Sequence, residues 1–417
     1  MHKQFLARPF PALRPTKESA KSVIAPPYDV INLKEAKELT QEQPFSFLRV
    51  SRAELEMPNS IDPYAPEVYQ RAAKNLWRLK QEKILIQDEK PSYYVYRISN
   101  GNHTQIGVGL SASVEAYDQN KIRKHELTQH AKETDRTNQI NTVNAITGPV
   151  LLAHPEHPDL DGLLLKISSS KDSDCEGTVD SWLHEIWVVT DEELINKISS
   201  YINSMPALYI ADGHHRSAAA SRVAKQRLRE DPSITDDNPC HGFLAVSFSQ
   251  NEMRILDYNR VIADLNGKSA QDFLKEIERE FIISTSETAI KPQAAKSFGM
   301  YLDGAWYLLT LKKVWSADNS VSALDVSVLN DLIIGPILGV KNSRADNRID
   351  FVGGSRGTKE IEKAVNSGKM AVGFTMFPTK MEELVAVADA GLIMPPKSTW
   401  FEPKLADGLL SLALQDI

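Results

Sequence analysis

Six consecutive residues, Ala211-Asp212-Gly213-His214-His215-Arg216, place a carboxylate, two imidazoles and a guanidinium within one short stretch. The apolar run Ala207-Leu208-Tyr209-Ile210 precedes them, and Ala218, Ala219, Ala220, Val223 and Ala224 follow at helical spacing. The pattern predicts strand, tight turn, helix. Asp212 falls where a helix N-cap would sit, and Gly213 allows a backbone geometry that other residues resist. His214, His215 and Arg216 then crowd a helix N-terminus. The first amides of a helix lack partners and attract anions. Positive side chains at that end oppose the helix dipole, so three of them together point to a bound anion, a phosphate above all. The competing reading is an ordinary capped helix with solvated or packed histidines.

A second polar stretch runs Ile122-Arg123-Lys124-His125-Glu126-Leu127-Thr128, then Lys132-Glu133-Thr134-Asp135-Arg136. Its plain reading is an exposed helix with ion pairs at one-turn spacing, such as Glu133 with Arg136. Its chemical reading is that Lys124, His125, Glu126, Thr128, Asp135 and Arg136 supply the parts that proton and phosphoryl chemistry needs. Glu126, beside His125 and close to Lys124, is the favoured general base. Asp212 is the alternative base, a metal ligand, or simply a helix cap.

Smaller groups could join them. Residues 44–52 roughly alternate apolar and polar, which predicts a strand, and Arg49 and Arg52 flank Ser51 as a candidate anion contact. Tyr28 and Asp29 close the proline-bearing run Ala25-Pro26-Pro27, an edge strand or rigid loop, and are placed at a cleft rim or in plain packing. Asn259 and Arg260 are polar inside an apolar frame. Lys397, Ser398 and Thr399 sit in a proline-rich tail. That tail is expected to fold over the central turn and add a lysine and two hydroxyls to the phosphate site. Alternatively Trp400 and Phe401 only anchor the C-terminus.

The elements that must position these groups are legible in outline. Helices are expected at 33–40, 66–82, 273–281 and 381–390, and a mostly helical stretch at 323–338. Asn100-Gly101 and Asp303-Gly304 mark hairpins. Residues 351–358 form a glycine-rich turn without the spacing of a P-loop. The expected division is an N-terminal α/β domain at 1–120, a central domain at 121–267 carrying the turn, and a C-terminal α/β domain at 268–417.

Composition sets the outer limits. The 417 residues are 42% hydrophobic and 25% charged, with net charge −7. This balance is globular and disfavours a nucleic-acid partner. Cys175 and Cys240 are too few for a disulfide framework and lack the Cys-x-x-Cys spacing of a thiolate zinc site. No signal peptide and no membrane-spanning run is evident, so a cytoplasmic protein without a membrane partner is expected.

The turn Ala211-Asp212-Gly213-His214-His215-Arg216 resembles the nucleotide- and phosphate-binding turn of the ParB/sulfiredoxin superfamily. The free-serine kinase branch of that superfamily has the same Asp-Gly-His-His-Arg form. Over nearly its whole length the chain also resembles a bacterial and archaeal family of unknown function, the serine-cluster kinases. The matching pieces are Ala25-Pro26-Pro27-Tyr28-Asp29-Val30, Lys124-His125-Glu126-Leu127-Thr128, the turn itself, Tyr258-Asn259-Arg260, Phe351-Val352-Gly353-Gly354 and Lys397-Ser398-Thr399-Trp400-Phe401.

The resemblance implies an α/β fold with a ParB/sulfiredoxin-like core and additional mixed α/β segments before and after it. It implies phosphorylation of free L-serine to O-phospho-L-serine, with inorganic pyrophosphate as donor and ATP or ADP as alternatives. No adenine-binding pattern is visible, which is compatible with pyrophosphate. Gly213, His214, His215 and Arg216, with Lys397, Ser398 and Thr399, would hold the donor phosphates, with Mg²⁺ on Asp212. Candidate substrate contacts are Arg49, Ser51, Lys124, His125, Asn259 and Arg260. A regulator that binds nucleotide or phosphate without turnover is the alternative function. Sulfiredoxin chemistry needs a cysteine where His214 and His215 stand, and a ParB-type DNA clamp needs a basic surface.

Overall fold

Apolar runs from distant parts of the chain assemble into one nine-stranded mixed sheet. The computed structural model describes residues 5–415. In spatial order the strands are Ile122–Arg123, Leu208–Asp212, Val150–His154, Gly242–Ser249, Thr104–Ser113, Tyr93–Ser99, Trp182–Val189 and Cys175–Val179, with Ala7–Arg8 on the end of Thr104–Ser113. Leu208–Asp212 runs parallel to Ile122–Arg123, and Gly242–Ser249 parallel to Val150–His154; the other pairs are antiparallel. Strands from before and after residue 120 share this sheet. Every residue of Gly242–Ser249 is buried, as its nearly continuous apolar sequence requires of a central strand.

Helices form where periodicity and end signals agree. Leu33–Thr40 opens with a capping box in which Asn32 and Glu35 satisfy each other's amides. Pro66–Gln81 carries proline in its first turn and buries Val68, Ala72, Leu76 and Leu79 along one face. The hairpin at Asn100-Gly101 joins Tyr93–Ser99 to Thr104–Ser113 as expected. Residues 44–52 do not form the expected strand: Leu48–Ser51 is a short helix, followed by the tight turn Ala53–Glu56. Phe47, Leu48, Val50 and Ala53 all enter the core there, a run of burial that a coiled backbone accommodates and a two-faced strand does not.

The chain divides into two compact units: residues up to Met253 together with those from Pro403 onward, and Arg254–Glu402. The second unit is built on a six-stranded antiparallel sheet ordered Phe281–Ser286, Ala305–Leu311, Ser297–Leu302, Val372–Thr375, Tyr258–Ile262 and Ile349–Gly353. Asp303 and Gly304 both have positive φ, the signature of a two-residue hairpin turn. The expected helix at 273–281 is Ala270–Ile277, and Phe281 instead begins a strand. Between 323 and 338 the helix Asp325–Leu329 widens into the looser turn Asn330–Ile334. No helix among the described residues is long and apolar enough to cross a membrane.

The C-terminal tail threads back through the first unit. Ala25 and Asp407 exchange both backbone hydrogen bonds (3.1 and 2.9 Å), Leu13 and Ser411 do the same (2.9 Å each), and Leu412–Ala413 pairs with Ala145–Ile146. Leu405, Ala406, Leu409, Leu410 and Leu412 are buried along it. Gly408 makes the path possible: its φ is +93°, and an added Cβ would lie 2.7 Å from Phe47 Cβ. Gly408→Ala is therefore expected to destabilise the first unit by roughly 2–4 kcal/mol. A urea titration checks this, and an unchanged midpoint would show that the tail is not seated against Phe47.

Candidate functional site

The strand Leu208–Asp212 reaches the turn through a β-bulge. Its pairing with Val150–His154 skips Ala211, so Ile210 faces Leu152 while Asp212 faces Leu151. Such an extra residue re-aims the side chain that follows. Gly213 then takes φ 98° and is itself the N-cap of the helix His214–Glu230. Asp212 is thus not the cap the sequence suggests, and Gly213 has no side chain to offer the first amides of this helix. Its carboxylate lies 3.4 Å from Lys404 Nζ, on the returning tail. Burial opposes its charge, but Lys404, Arg216 and His214 outweigh burial and hold it down at about 2.

The two histidines nearest the sheet carry no charge at neutral pH, contrary to the crowding of positive groups read from sequence. His125 and His214 are buried and meet edge to face, ring centroids 4.5 Å apart. Burial above all lowers His125 to about 3 and His214 to about 4. The His125 amide points to His214 Nε2 at 3.5 Å, which leaves the His214 proton on Nδ1, facing Glu126 Oε2 at 3.8 Å. His215 Nε2 accepts from the Gln129 amide at 3.0 Å. The fixed positive charge at this helix end is therefore Arg216.

Arg216 is only 6% exposed. Its Nη1 donates to the Pro149 carbonyl at 2.5 Å and its Nη2 to Asp29 at 3.2 and 3.4 Å. Its guanidinium lies 5.6 Å from the Tyr28 ring centre, and that of Arg136 lies 4.1 Å from the same ring. Arg136 is fixed by Asp135, whose other oxygen accepts from Tyr69; the expected Glu133–Arg136 pair is replaced by Glu133 with Thr128 and Arg222. Tyr28, Arg136, Gly148, Arg216 and Asp407 line a cavity of about 30 Å³ together with Ser51 and Thr147. Asp407 is 1% exposed, and neither of its carboxyl oxygens has a hydrogen-bond partner. Burial pushes it up to about 7, helped by Asp29 and opposed by Arg216, by the nearby Ser51 hydroxyl, which falls short of hydrogen-bond geometry, and by Arg136.

Lys404 and Asp407, which no local signal in the sequence marks, lie beside the turn in the first unit, and the expected phosphate contacts Lys397, Ser398 and Thr399 belong to the second unit. There Lys397 Nζ lies 5.4 Å from the Tyr258 ring centre, Ser398 donates to the Pro395 carbonyl, and Thr399 precedes the short strand Trp400–Phe401. Asn259 and Arg260 are fully engaged in that unit. Asn259 bonds Asp257 and the Met376 amide, and Arg260 bonds the carbonyls of Tyr258 and Lys397, with burial lowering it to about 10. In the first unit Arg49 is taken by Glu56 and the Thr40 carbonyl, and Lys124 by the Tyr117 carbonyl and ring. Of the expected substrate contacts, Ser51 lines the cavity and His125 adjoins the turn.

Among the described residues no group of three or more His, Cys, Asp or Glu side chains is arranged to hold a metal ion. Asp212, the expected magnesium ligand, is already ion-paired with Lys404. These residues do not make a preformed magnesium cage.

The Asp407 carboxyl gives a stability prediction. A carboxyl raised to about 7 in the fold stabilises the fold below its unfolded value near 4 and loses that contribution as pH rises through 7. Asp407→Asn should therefore be nearly neutral at pH 4. At pH 8 it should be more stable than the parent by an amount on the order of 3 kcal/mol. Melting curves of both proteins across this range measure the difference; a pH-independent difference would contradict the buried, raised carboxyl.

Comparison with curated proteins gives no match. Among solved structures, SbnI with C-terminal truncation from Staphylococcus aureus is 14% identical with TM-score 0.39, covering 74% of this chain and 89% of that one. A conserved hypothetical protein from Pyrococcus furiosus is 13% identical with TM-score 0.33, covering 73% and 94%. A free serine kinase in complex with AMP is 10% identical with TM-score 0.32, covering 71% and 86%. The sequence matches the family described as "Protein of unknown function (DUF1015)" over residues 7–327. That match takes in most of the 417 residues, and the protein belongs to this family.

Proposed function

We propose that this protein transfers a phosphoryl group to the hydroxyl of free L-serine, giving O-phospho-L-serine, with inorganic pyrophosphate as donor and ATP or ADP as alternative donors. The observation that carries the reading is the buried guanidinium of Arg216 in the first turn of a helix whose N-cap is a glycine. Phosphoryl transfer asks mainly for positioning and neutralisation of charge. An uncapped helix N-terminus offers amides to a phosphate, and a guanidinium offers two parallel donors.

Asp29 serves as an exchangeable anion in this account. Its contacts to Arg216, at 3.2 and 3.4 Å, are long for a charge-assisted pair, and its side chain is 42% exposed. A donor phosphate replaces it at Nη2 and meets the amides of the first helical turn beside Gly213. Neutral His214 and His125 pack behind the turn without adding repulsion, and Glu126 faces the His214 Nδ1 proton. Lys404 holds Asp212 out of the anion's way.

Incubation with L-serine and pyrophosphate, ATP or ADP in turn, followed by phosphorus NMR, tests the activity. A phosphoserine signal is expected with pyrophosphate. If none of the three donors gives it, the kinase reading falls and a phosphate-ligand-binding regulator takes its place. Arg216→Ala should weaken pyrophosphate binding at least tenfold and L-serine binding by less, as measured by calorimetry. Unchanged pyrophosphate affinity in a folded variant would assign the arginine to packing.

A further inference from the structure

Three facts about the cavity converge on one small group. Arg216 Nε is a buried donor without a partner, and Asp407 Oδ1 and Oδ2 are buried acceptors without partners. Both side chains are more than nine-tenths buried. Both open onto Gly148: a Cβ built there would lie 3.5 Å from Asp407 Oδ1 and 3.7 Å from Arg216 Nε. An unsatisfied buried donor or acceptor is costly, and such a set is rare without a ligand or water to complete it. Arg216 Nε facing one of the two Asp407 oxygens, Oδ1, across Gly148 is the complement of a hydroxyl, which accepts from one side and donates to the other. A phosphate is disfavoured there, because the buried Asp407 carboxylate would repel it. A hydroxymethyl group matches the cavity in size and polarity.

We infer that the cavity between Gly148, Arg216 and Asp407 seats the hydroxyl of the acceptor amino acid, and that Asp407 takes its proton. This assignment rests on the proposed kinase activity and deepens it. Arg216 then touches both substrates, Nε holding the acceptor oxygen and Nη2 the donor phosphate. In the transfer, the serine oxygen forms its bond to the near phosphorus of pyrophosphate. The bond from that phosphorus to the bridging oxygen breaks, and its electron pair leaves with inorganic phosphate. The hydroxyl proton passes to Asp407 and from there to the departing phosphate or to water.

The charged and titratable groups around Asp407 are Arg216, Arg136, Asp29, Tyr28 and Tyr96. Its elevation to about 7 places it near the pH at which a base both ionises and accepts a proton readily. The geometry favours Asp407 over Glu126 as proton acceptor. Glu126 faces an imidazole N–H and is 38% exposed on its side chain, whereas Asp407 is 1% exposed and its oxygens accept no hydrogen bond.

Two variants and one substrate analogue test the assignment. Calorimetry should show the parent protein binding L-serine at least tenfold more tightly than L-alanine, which lacks the hydroxyl. Gly148→Ala fills the cavity at ordinary contact distances. It should erase that preference while the melting temperature stays near the parent value. Asp407→Asn keeps an acceptor but cannot take the proton. It should hold L-serine affinity within a few-fold and lower phosphoserine formation by a hundredfold or more. Equal affinity for serine and alanine, or binding of neither, overturns the assignment and leaves the cavity to an ordered water. Parent-like turnover of Asp407→Asn overturns it as well, with Glu126→Gln then the variant to lose activity. The kinase reading fails separately, if the parent forms no phosphoserine from any donor; the serine-over-alanine preference still judges the cavity.

Discussion

A buried carboxyl and a buried guanidinium that share a cavity without bonding each other is the constraint on which the first unit depends. Each alone would cost several kcal/mol of lost hydration. Arg216 recovers much of this from Asp29, the Pro149 carbonyl and the Tyr28 face. Asp407 recovers little through its side chain, and its backbone is fixed instead, through the paired hydrogen bonds with Ala25. The tail that delivers it is anchored further along, at Leu13 and at Ala145–Ile146, so the carboxyl cannot withdraw to solvent without undoing that pairing. A fold that holds a polar group against its solvation preference does so most often at a functional site.

Charge at the turn follows the same logic. Two imidazoles at a helix N-terminus would oppose the dipole if protonated. Burial keeps His214 and its ring neighbour His125 neutral, and Arg216 is a guanidinium fixed in the first turn. The bulge at Ala211 swings Asp212 to Lys404, which neutralises a carboxylate that would otherwise repel an anion at the same helix end. The tail thus supplies two groups of opposite sign: Lys404 beside Asp212, and Asp407 beside Arg216.

The strand, turn and helix around Gly213 were legible because periodicity and a glycine agree there. So were the helices at Leu33–Thr40 and Pro66–Gln81 and both hairpins, each marked by its own end signals. The stretch 44–52 misled because its apolar and polar residues roughly alternate, while the consecutive burial of Phe47 and Leu48 that favours a short helix shows only in the fold. Asp407 and Lys404 were not legible. Nothing local distinguishes an aspartate in Ala406-Asp407-Gly408 from a surface turn, and its role is created by pairing with Ala25, far away in sequence. A weak signal existed in the run Leu409-Leu410-Ser411-Leu412, too apolar to stand exposed.

A crystal structure of the protein soaked with L-serine decides what the cavity holds. The serine hydroxyl is expected within hydrogen-bond distance of both Asp407 and Arg216 Nε, over the α-carbon of Gly148. Serine bound elsewhere, with an ordered water bridging Asp407 and Arg216, would contradict this placement.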